Sequence, residues 1–157
     1  MNEEQKRIIE DCKDEIASIK KWVDKNLMDS NVKYLVAYSV VKASGTIEIV
    51  FKSMLYEFLS EGCKKETQLF LTKNTVDLSC NPSVGMMEQL LEKIDTNRKN
   101  AFSDLAKVMN EKADLNSLVS LRNDIAHGRN INVSIATVKR YYESGVKIIK
   151  LLERVLK

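Results

Sequence analysis

The residues of this chain best suited to chemistry lie in one short run, residues 121–128, which reads LRNDIAHG. The run contains the only histidine of the chain, His127, and an arginine five residues before it, Arg122. Imidazole has an ordinary pKa of roughly 6.5, so it can accept and donate protons near neutral pH. A guanidinium group is a fixed fork of donors that suits a phosphate. Together these two residue types predict phosphoryl chemistry.

The predicted helix that carries this run places Arg122 in an unusual position. At about 100° per residue, Arg122 projects within roughly 10° of the centre of the apolar stripe, where a leucine is expected. Because a guanidinium group cannot be left dry and unpaired, Arg122 either meets a carboxylate, for which Glu48 is the candidate, or faces an open groove. Asn123 and His127 lie four residues apart on an adjoining face, so the three polar groups can converge on one anion.

Each residue of the run also has an ordinary structural interpretation. A histidine before Gly128 commonly caps helix carbonyls and complements the helix dipole, and a single arginine is more often an ion-pair partner than a phosphate clamp. Asp124 projects opposite the apolar stripe, as a solvated carboxylate would, and is counted as a supporting residue only. The conjunction of these residues with a glycine closure and a basic final helix favours a functional site.

Positive charge is concentrated towards the end of the chain. The net charge is +3, yet residues 122–157 hold eight basic residues against three acidic ones. A basic region beside the histidine would attract a polyanion such as RNA, and Arg129, Lys139 and Arg140 are the predicted RNA contacts. The alternative is a solvated helix face, on which regularly spaced lysines are normal.

The elements that must position these residues are predicted to be helices throughout. One Pro and five Gly interrupt a chain of strong helix formers, which predicts an all-α fold: a single compact bundle of about five to six helices over residues 1–157. The apolar spacing favours a first helix over about residues 3–27 and a central helix over 32–61, in which Ser44-Gly45 marks a kink or a close crossing. A strand in the first half of the central helix is the less favoured alternative. A short helix is predicted at 66–73, and apolar stripes with helical spacing predict two more at 86–94 and 102–109. The helix that carries the Arg-His run is capped by Asp114 and ended by Gly128, and a last helix starts at about Ser134.

Composition excludes several classes of protein. With 44% hydrophobic residues the chain can build a core, so disorder is not expected. The charged N-terminus and the lack of a long uncharged stretch predict a cytoplasmic protein without a membrane partner. Three distant cysteines outside any CxxC pair and one histidine predict neither a disulfide framework nor a metal site, and no cofactor is expected.

The Arg-His run resembles the signature of the HEPN superfamily, in which an arginine is followed by four to six residues and a histidine, often with a polar residue after the arginine. In this chain the matching residues are 122–128, RNDIAHG. The SGTIE segment at 44–48 on a long apolar helix, the helix start at Asn81-Pro82-Ser83 and the final helix are similar to RiboL-PSP-type HEPN domains. The resemblance covers most of the chain and is most specific at the Arg-His motif.

This resemblance implies a small helical bundle that dimerises, bringing two motifs together in a cleft, and in active members a metal-independent endoribonuclease. Carried over, Arg122 and His127 would be catalytic, Asn123 would support the phosphate, and Glu48 would orient the arginine. Attack of an RNA 2′-OH on its own phosphate needs a base, an acid and positive charge on the phosphorane, and a two-fold dimer would supply the second imidazole. The resemblance also implies a toxin or antiviral-defence role, with an antitoxin or defence-system protein as a possible partner.

Two other functions stay open on the sequence. The chain could be a non-catalytic HEPN-like module that binds RNA, a nucleotide or a protein partner, or a plain helical interaction protein. Replacing His127 by alanine would abolish cleavage by a ribonuclease but would leave binding by the module intact. A plain interaction protein would ignore RNA even at low salt, where electrostatic binding is strongest.

Overall fold

The secondary structure is entirely helical in the computed structural model, which describes residues 1–78 and 80–157. The predicted all-α class is confirmed. The described residues form seven α-helices rather than about five to six, because the short segment predicted at 66–73 and the stripes predicted at 86–94 and 102–109 each form a separate helix. The helices are α1 (Glu3–Val23), α2 (Val32–Ser60), α3 (Lys65–Leu71, continued by a π-helical turn at Thr72–Val76), α4 (Val84–Glu92), α5 (Thr96–Lys107), α6 (Glu111–Ala126) and α7 (Ile135–Leu156).

Helix α1 begins where its sequence predicts and ends earlier. Asn2 and Gln5 form a reciprocal capping box at its start, which satisfies two backbone N–H groups that have no partner within the helix. The helix stops at Val23 instead of continuing to Leu27, since the Asn26 side chain donates to the Trp22 carbonyl at 2.7 Å and the chain turns. The predicted stripe was therefore one turn too long, and Leu27 is exposed.

Helix α2 runs without a break through the centre of the molecule and confirms the predicted central helix. It passes through Ser44-Gly45 as continuous helix, and a Cβ added at Gly45 would meet nothing within 4 Å. The predicted close crossing is therefore wrong at Gly45, and the helix is not interrupted there. The close approach occurs at Gly145 of α7, where an added Cβ would lie 3.1 Å from Ile47 and 3.3 Å from Leu115.

Judged by length and composition alone, α2 is also a candidate membrane span. Its most apolar 18-residue window has a mean hydropathy of 1.3, and half of that window is buried against other helices. Burial of this extent is what a helix at the centre of a bundle shows. No other helix in residues 1–78 and 80–157 meets the same test.

Helices α6 and α7 form an antiparallel pair that is tied together near the start of α6. The Ser144 hydroxyl donates to Asp114 at 2.9 Å, and Lys147 pairs with Glu111 at 2.9 Å. Asp114 was predicted to cap α6, but the helix begins three residues earlier at Glu111, and the Asp114 carboxylate is used for the contact with α7 instead. Helix α7 starts after Ser134, as predicted, because the Ser134 hydroxyl accepts the Thr137 backbone N–H.

Candidate functional site

The C-terminal end of α6 is a Schellman motif that determines where the histidine lies. Gly128 adopts φ of +70°, a left-handed conformation that costs glycine little and other residues more. The Gly128 N–H donates to Ile125 O at 3.0 Å, and the Arg129 N–H donates to Asp124 O at 2.8 Å, the pair of bonds that defines this motif. The predicted closure of the helix at Gly128 is confirmed, and His127 becomes the last residue before the turn.

His127 presents its imidazole to solvent. The residue is exposed, and only its backbone N–H is used in the helix, donating to Asn123 O at 3.0 Å. In the described part of the chain, the imidazole has no hydrogen-bond partner, so the ordinary interpretation of a side chain that caps helix carbonyls does not apply. The ring is accessible to a substrate or to another protein.

Arg122 is half-buried and is held by two amide oxygens. Its Nη1 donates to Asn81 Oδ1 at 3.3 Å and to Asn123 Oδ1 at 3.4 Å. Both distances are long for hydrogen bonds, so the guanidinium group is restrained without being neutralised. The contact with Asn123 turns the guanidinium towards the face that Asn123 shares with His127, one helical turn further on.

Glu48 is not the partner of Arg122, contrary to the expectation from the sequence. Its carboxylate pairs with Lys52, one turn later on α2, at 2.6 Å, and accepts the Cys80 backbone N–H at 3.4 Å. Both side chains of the pair are largely buried, which is tolerated because each charge meets the other. Glu48 therefore reaches the arginine only indirectly, by holding the segment in which Asn81 follows Cys80.

Sequence reasoning did not identify Asn81 as a partner of Arg122. Asn81 precedes Pro82, and the residue before a proline is kept out of helical geometry, so the segment stays non-helical until α4 begins after Ser83. The signal was present in the helix start at Asn81-Pro82-Ser83, but nothing in the local pattern says that it lies against α6. That contact joins residues 41 positions apart.

Asp124 and Arg129 pair with each other across the Schellman turn. Arg129 Nη1 lies 3.0 Å from Asp124 Oδ1, and the arginine side chain remains 70% exposed. Asp124 is thus an ion-pair partner rather than a simply solvated carboxylate. Arg129 stays close to the motif and accessible, as required of a predicted RNA contact.

Lys139 and Arg140, the other two predicted RNA contacts, are engaged elsewhere. Lys139 lies 3.8 Å from Glu143 on its own helix, and Arg140 lies 3.4 Å from Asp114. Asp114 is in the first turn of α6, about 20 Å of helix rise from His127. The structure therefore does not bring Arg140 to the Arg-His run, and this part of the basic C-terminal region joins α7 to α6.

No thiol is poised as a nucleophile beside Arg122. Burial raises the pKa of the Cys80 thiol, although the nearby Lys52 ammonium acts in the opposite direction, and a raised pKa disfavours the reactive thiolate. Cys12, Cys63 and Cys80 are all free thiols. Within residues 1–78 and 80–157, no group of three or more His, Cys, Asp or Glu side chains is arranged to hold a metal ion.

Comparison with known proteins gives a family match over nearly the whole chain. Searches of curated proteins and of solved structures found no significant similarity to the chain. The family model described as RiboL-PSP-HEPN matches residues 2–157, so the resemblance inferred from the Arg-His motif is confirmed over nearly the whole length. The chain belongs to the RiboL-PSP-HEPN family.

Proposed function

We propose that this chain is a metal-independent endoribonuclease that acts as a homodimer on RNA in the cytoplasm. The observation that supports this most is the position of Arg122. Its half-exposed guanidinium is restrained by Asn81 and Asn123, and the end of α6 that carries it also presents the His127 imidazole to solvent. A cation and a proton-transfer group at one accessible helix end are the groups that RNA transesterification needs.

In the proposed reaction, the 2′-oxygen of a ribose attacks the adjacent phosphorus and the bond to the 5′-oxygen of the next nucleotide breaks. One imidazole accepts the proton of the 2′-hydroxyl, and a protonated imidazole donates a proton to the leaving 5′-oxygen. Arg122 donates hydrogen bonds to the phosphoryl oxygens as negative charge develops on the phosphorane. The products are a 2′,3′-cyclic phosphate and a 5′-hydroxyl group, and no redox partner is required.

A second copy of the chain is proposed because one copy lacks a complete set of groups. The reaction uses an acid and a base, whereas the chain contains a single histidine. A spacing of five residues also turns Arg122 and His127 about 140° apart around the helix, which favours sharing of the two groups across a two-fold axis. A symmetric dimer would present two copies of each group to one phosphate.

One observation favours a second candidate function, a HEPN-like module that binds RNA without cleaving it. Catalytic imidazoles are normally oriented by a hydrogen bond to the second ring nitrogen. Among the described residues, His127 has no such partner within its own chain. In the proposed ribonuclease the second copy or the substrate supplies this contact. A module that only binds RNA does not need an oriented imidazole.

Family membership also underlies the proposed biological role. Membership of the HEPN family leads us to propose that this chain is a toxin or an antiviral-defence protein. The proposed partner is accordingly an antitoxin or another protein of a defence system. Such a partner would inhibit by covering the exposed end of α6.

The test is cleavage of end-labelled RNA by the purified protein in EDTA, with Arg122→Ala and His127→Ala beside the wild type. Each variant should lose cleavage by a factor on the order of 10²–10⁴, as expected for removal of acid–base or charge-stabilising groups. The matched control is Arg154→Ala, which removes an exposed cation of α7 and should cleave like the wild type. Cleavage that requires a divalent metal, or that survives His127→Ala, would contradict the mechanism. RNA binding without cleavage by the wild type would favour the binding module.

A further inference from the structure

A groove lies directly beside the Arg-His run, between the first turns of α2 and the loop at residues 128–131. Its volume is about 570 Å³, within the range of sites that hold small ligands. Ile125, two residues before His127, and Gly128, directly after it, both line the groove. The opposite wall includes Lys33 and Tyr34. A strand of RNA whose phosphate lies at His127 would therefore place an adjacent nucleotide at this groove.

The aromatic side chain in this groove is unusually accessible. Tyr34 is 63% exposed although it belongs to the central helix, and the ammonium group of Lys33 lies 4.9 Å from the centre of its ring. A cation at this distance is attracted to the ring face, and the exposure of the side chain leaves ring surface accessible to a planar group. An exposed aromatic ring next to a cation is the arrangement on which proteins stack the bases of single-stranded nucleic acids.

The charges of the groove favour a polyanion. Both charged residues that line it, Lys33 and Arg129, are cationic. Arg129 is partly neutralised by Asp124 at 3.0 Å, whereas Lys33 forms no ion pair with any carboxylate in the described residues. Lys33 is therefore the main uncompensated charge of the groove, and it lies beside the ring that would hold the base.

On the basis of the ribonuclease function proposed above, we propose that this groove is a nucleotide subsite for single-stranded RNA. One base next to the cleaved bond stacks on Tyr34, and its phosphate is bound by Lys33. The subsite holds the strand in register with Arg122 and His127, and because every base has a stacking face, it accepts all four bases with limited sequence preference.

The test is binding of a fluorescein-labelled single-stranded 2′-O-methyl RNA of about 12 nucleotides, a length within the usual site sizes of single-strand binders. This probe lacks the attacking hydroxyl and cannot be cleaved by the proposed reaction. Fluorescence anisotropy should show that Tyr34→Ala weakens binding on the order of tenfold, as loss of one stacked base predicts, while Tyr34→Trp binds like the wild type. Lys33→Gln should lower the slope of log affinity against log salt by about 0.7, the share of one phosphate contact in single strands.

Two matched controls separate the groove from a general effect of surface mutation. Phe70→Ala removes an aromatic ring of nearly equal exposure, 64%, from α3, and Lys107→Gln removes an exposed lysine at the end of α5. Both should bind the probe like the wild type. If Tyr34→Ala also binds like the wild type, or if the wild type does not bind the probe, the subsite is ruled out.

Cleavage of unmodified RNA and the oligomeric state are measured on the same variants. If binding depends on Tyr34 but no RNA is cleaved, the ribonuclease function is overturned and the subsite is supported. If RNA is cleaved but binding does not depend on Tyr34, the subsite is overturned and the ribonuclease function is supported. If sedimentation shows that Tyr34→Ala turns a dimer into a monomer, the groove is an interface between two copies of the chain, and the subsite is overturned.

Discussion

The two ends of α6 are built differently. At the first turn, Glu111 pairs with Lys147 and Asp114 accepts a hydrogen bond from Ser144, so that this end, the anchored end, is joined to α7. Leu115 follows with no exposed surface. At the other end, the open end, residues 126–130 are all exposed.

This difference separates the part of α6 that holds the helix in the bundle from the part that carries the candidate site. Burial at the N-terminal half stabilises the helix, so the polar residues of the last turns need not contribute to stability. The Schellman turn then ends the helix without requiring a side chain, since its two bonds come from backbone N–H groups. His127 is thereby left accessible at the end of a helix whose first half is packed in the core.

The largest expected effect is the loss of a buried side chain at the anchored end. Leu115→Ala leaves a cavity at a fully buried position and should lower the free energy of unfolding by about 2–5 kcal/mol, measured by urea denaturation. Leu121→Ala is the same substitution at a half-buried position nearer the open end, and its effect should be clearly smaller. Equal losses for the two variants would contradict the proposed difference between the ends.

The next effect concerns the restraint on Arg122. Asn81→Ala removes the hydrogen bond to the guanidinium, worth roughly 1 kcal/mol or somewhat more, and should reduce kcat for RNA cleavage about tenfold with little change in KM. The matched control is Asn116→Ala, because Asn116 also joins α6 to this segment, accepting the Val84 N–H at 3.2 Å, but does not contact Arg122. The control should lose stability and keep its kcat. Unchanged kcat in Asn81→Ala would show that the restraint has no catalytic role.

Two glycines should respond with opposite signs. Gly128→Ala places a Cβ on a residue with φ of +70° and should destabilise the protein by about 1 kcal/mol. Gly45→Ala lies inside α2 with open space around the new Cβ and should stabilise it by about 0.5–1 kcal/mol. Thermal unfolding of both variants measures the difference, and a stabilising Gly128→Ala would contradict the left-handed turn at the open end.

The smallest effect is the pH dependence of the ion pair at the anchored end. Lys147 lowers the pKa of Glu111, and Glu111 raises the pKa of Lys147. The stabilisation is therefore complete between the ordinary carboxyl and lysine ranges, and it disappears as the pH falls through the lowered pKa of Glu111 or rises through the raised pKa of Lys147. Lys147→Met should be slightly less stable than the wild type at neutral pH and equal to it in acid.

Because Lys147 is largely solvated and Glu111 remains partly exposed, the stability difference should also shrink in high salt. Lys150→Met, which changes another exposed lysine of α7, serves as the control and should not alter the acid limb. A Lys147→Met difference that persists below the titration of Glu111 would exclude the ion pair as its cause.

Local signals predicted most of the helices and misplaced others where contacts between distant segments decide. Ser134 and Gly128 act through bonds to their near neighbours, and both boundaries were predicted correctly. The end of α1 was predicted one turn too late because Leu27 continues the apolar spacing while its side chain finds no core to pack against. Asp114 has the right type for a helix cap, but its carboxylate is taken by Ser144 and Arg140 on another helix.

The candidate site divides in the same way. Arg122, Asn123 and His127 were selected from residue type and spacing, and their catalytic roles stay predictions. The partner of Arg122 was predicted wrongly, because Glu48 is neutralised by Lys52 on its own helix, four residues away. Arg140 was grouped with the site because it is basic, whereas its position on α7 directs it to the anchored end of α6.

From its sequence alone this chain is an all-helical member of the RiboL-PSP-HEPN family with one arginine, one histidine and a glycine closure at the end of a helix. These properties depend on periodicity, capping and a short motif, all of which act within a few residues along the chain. Tertiary structure alone decided that Asn81 restrains Arg122, that Glu48 does not, and that Tyr34 lines a groove beside the histidine. Such contacts depend on which helix faces pack together. Packing joins residues that are far apart in the sequence, and the sequence separation of two residues does not tell whether they are in contact.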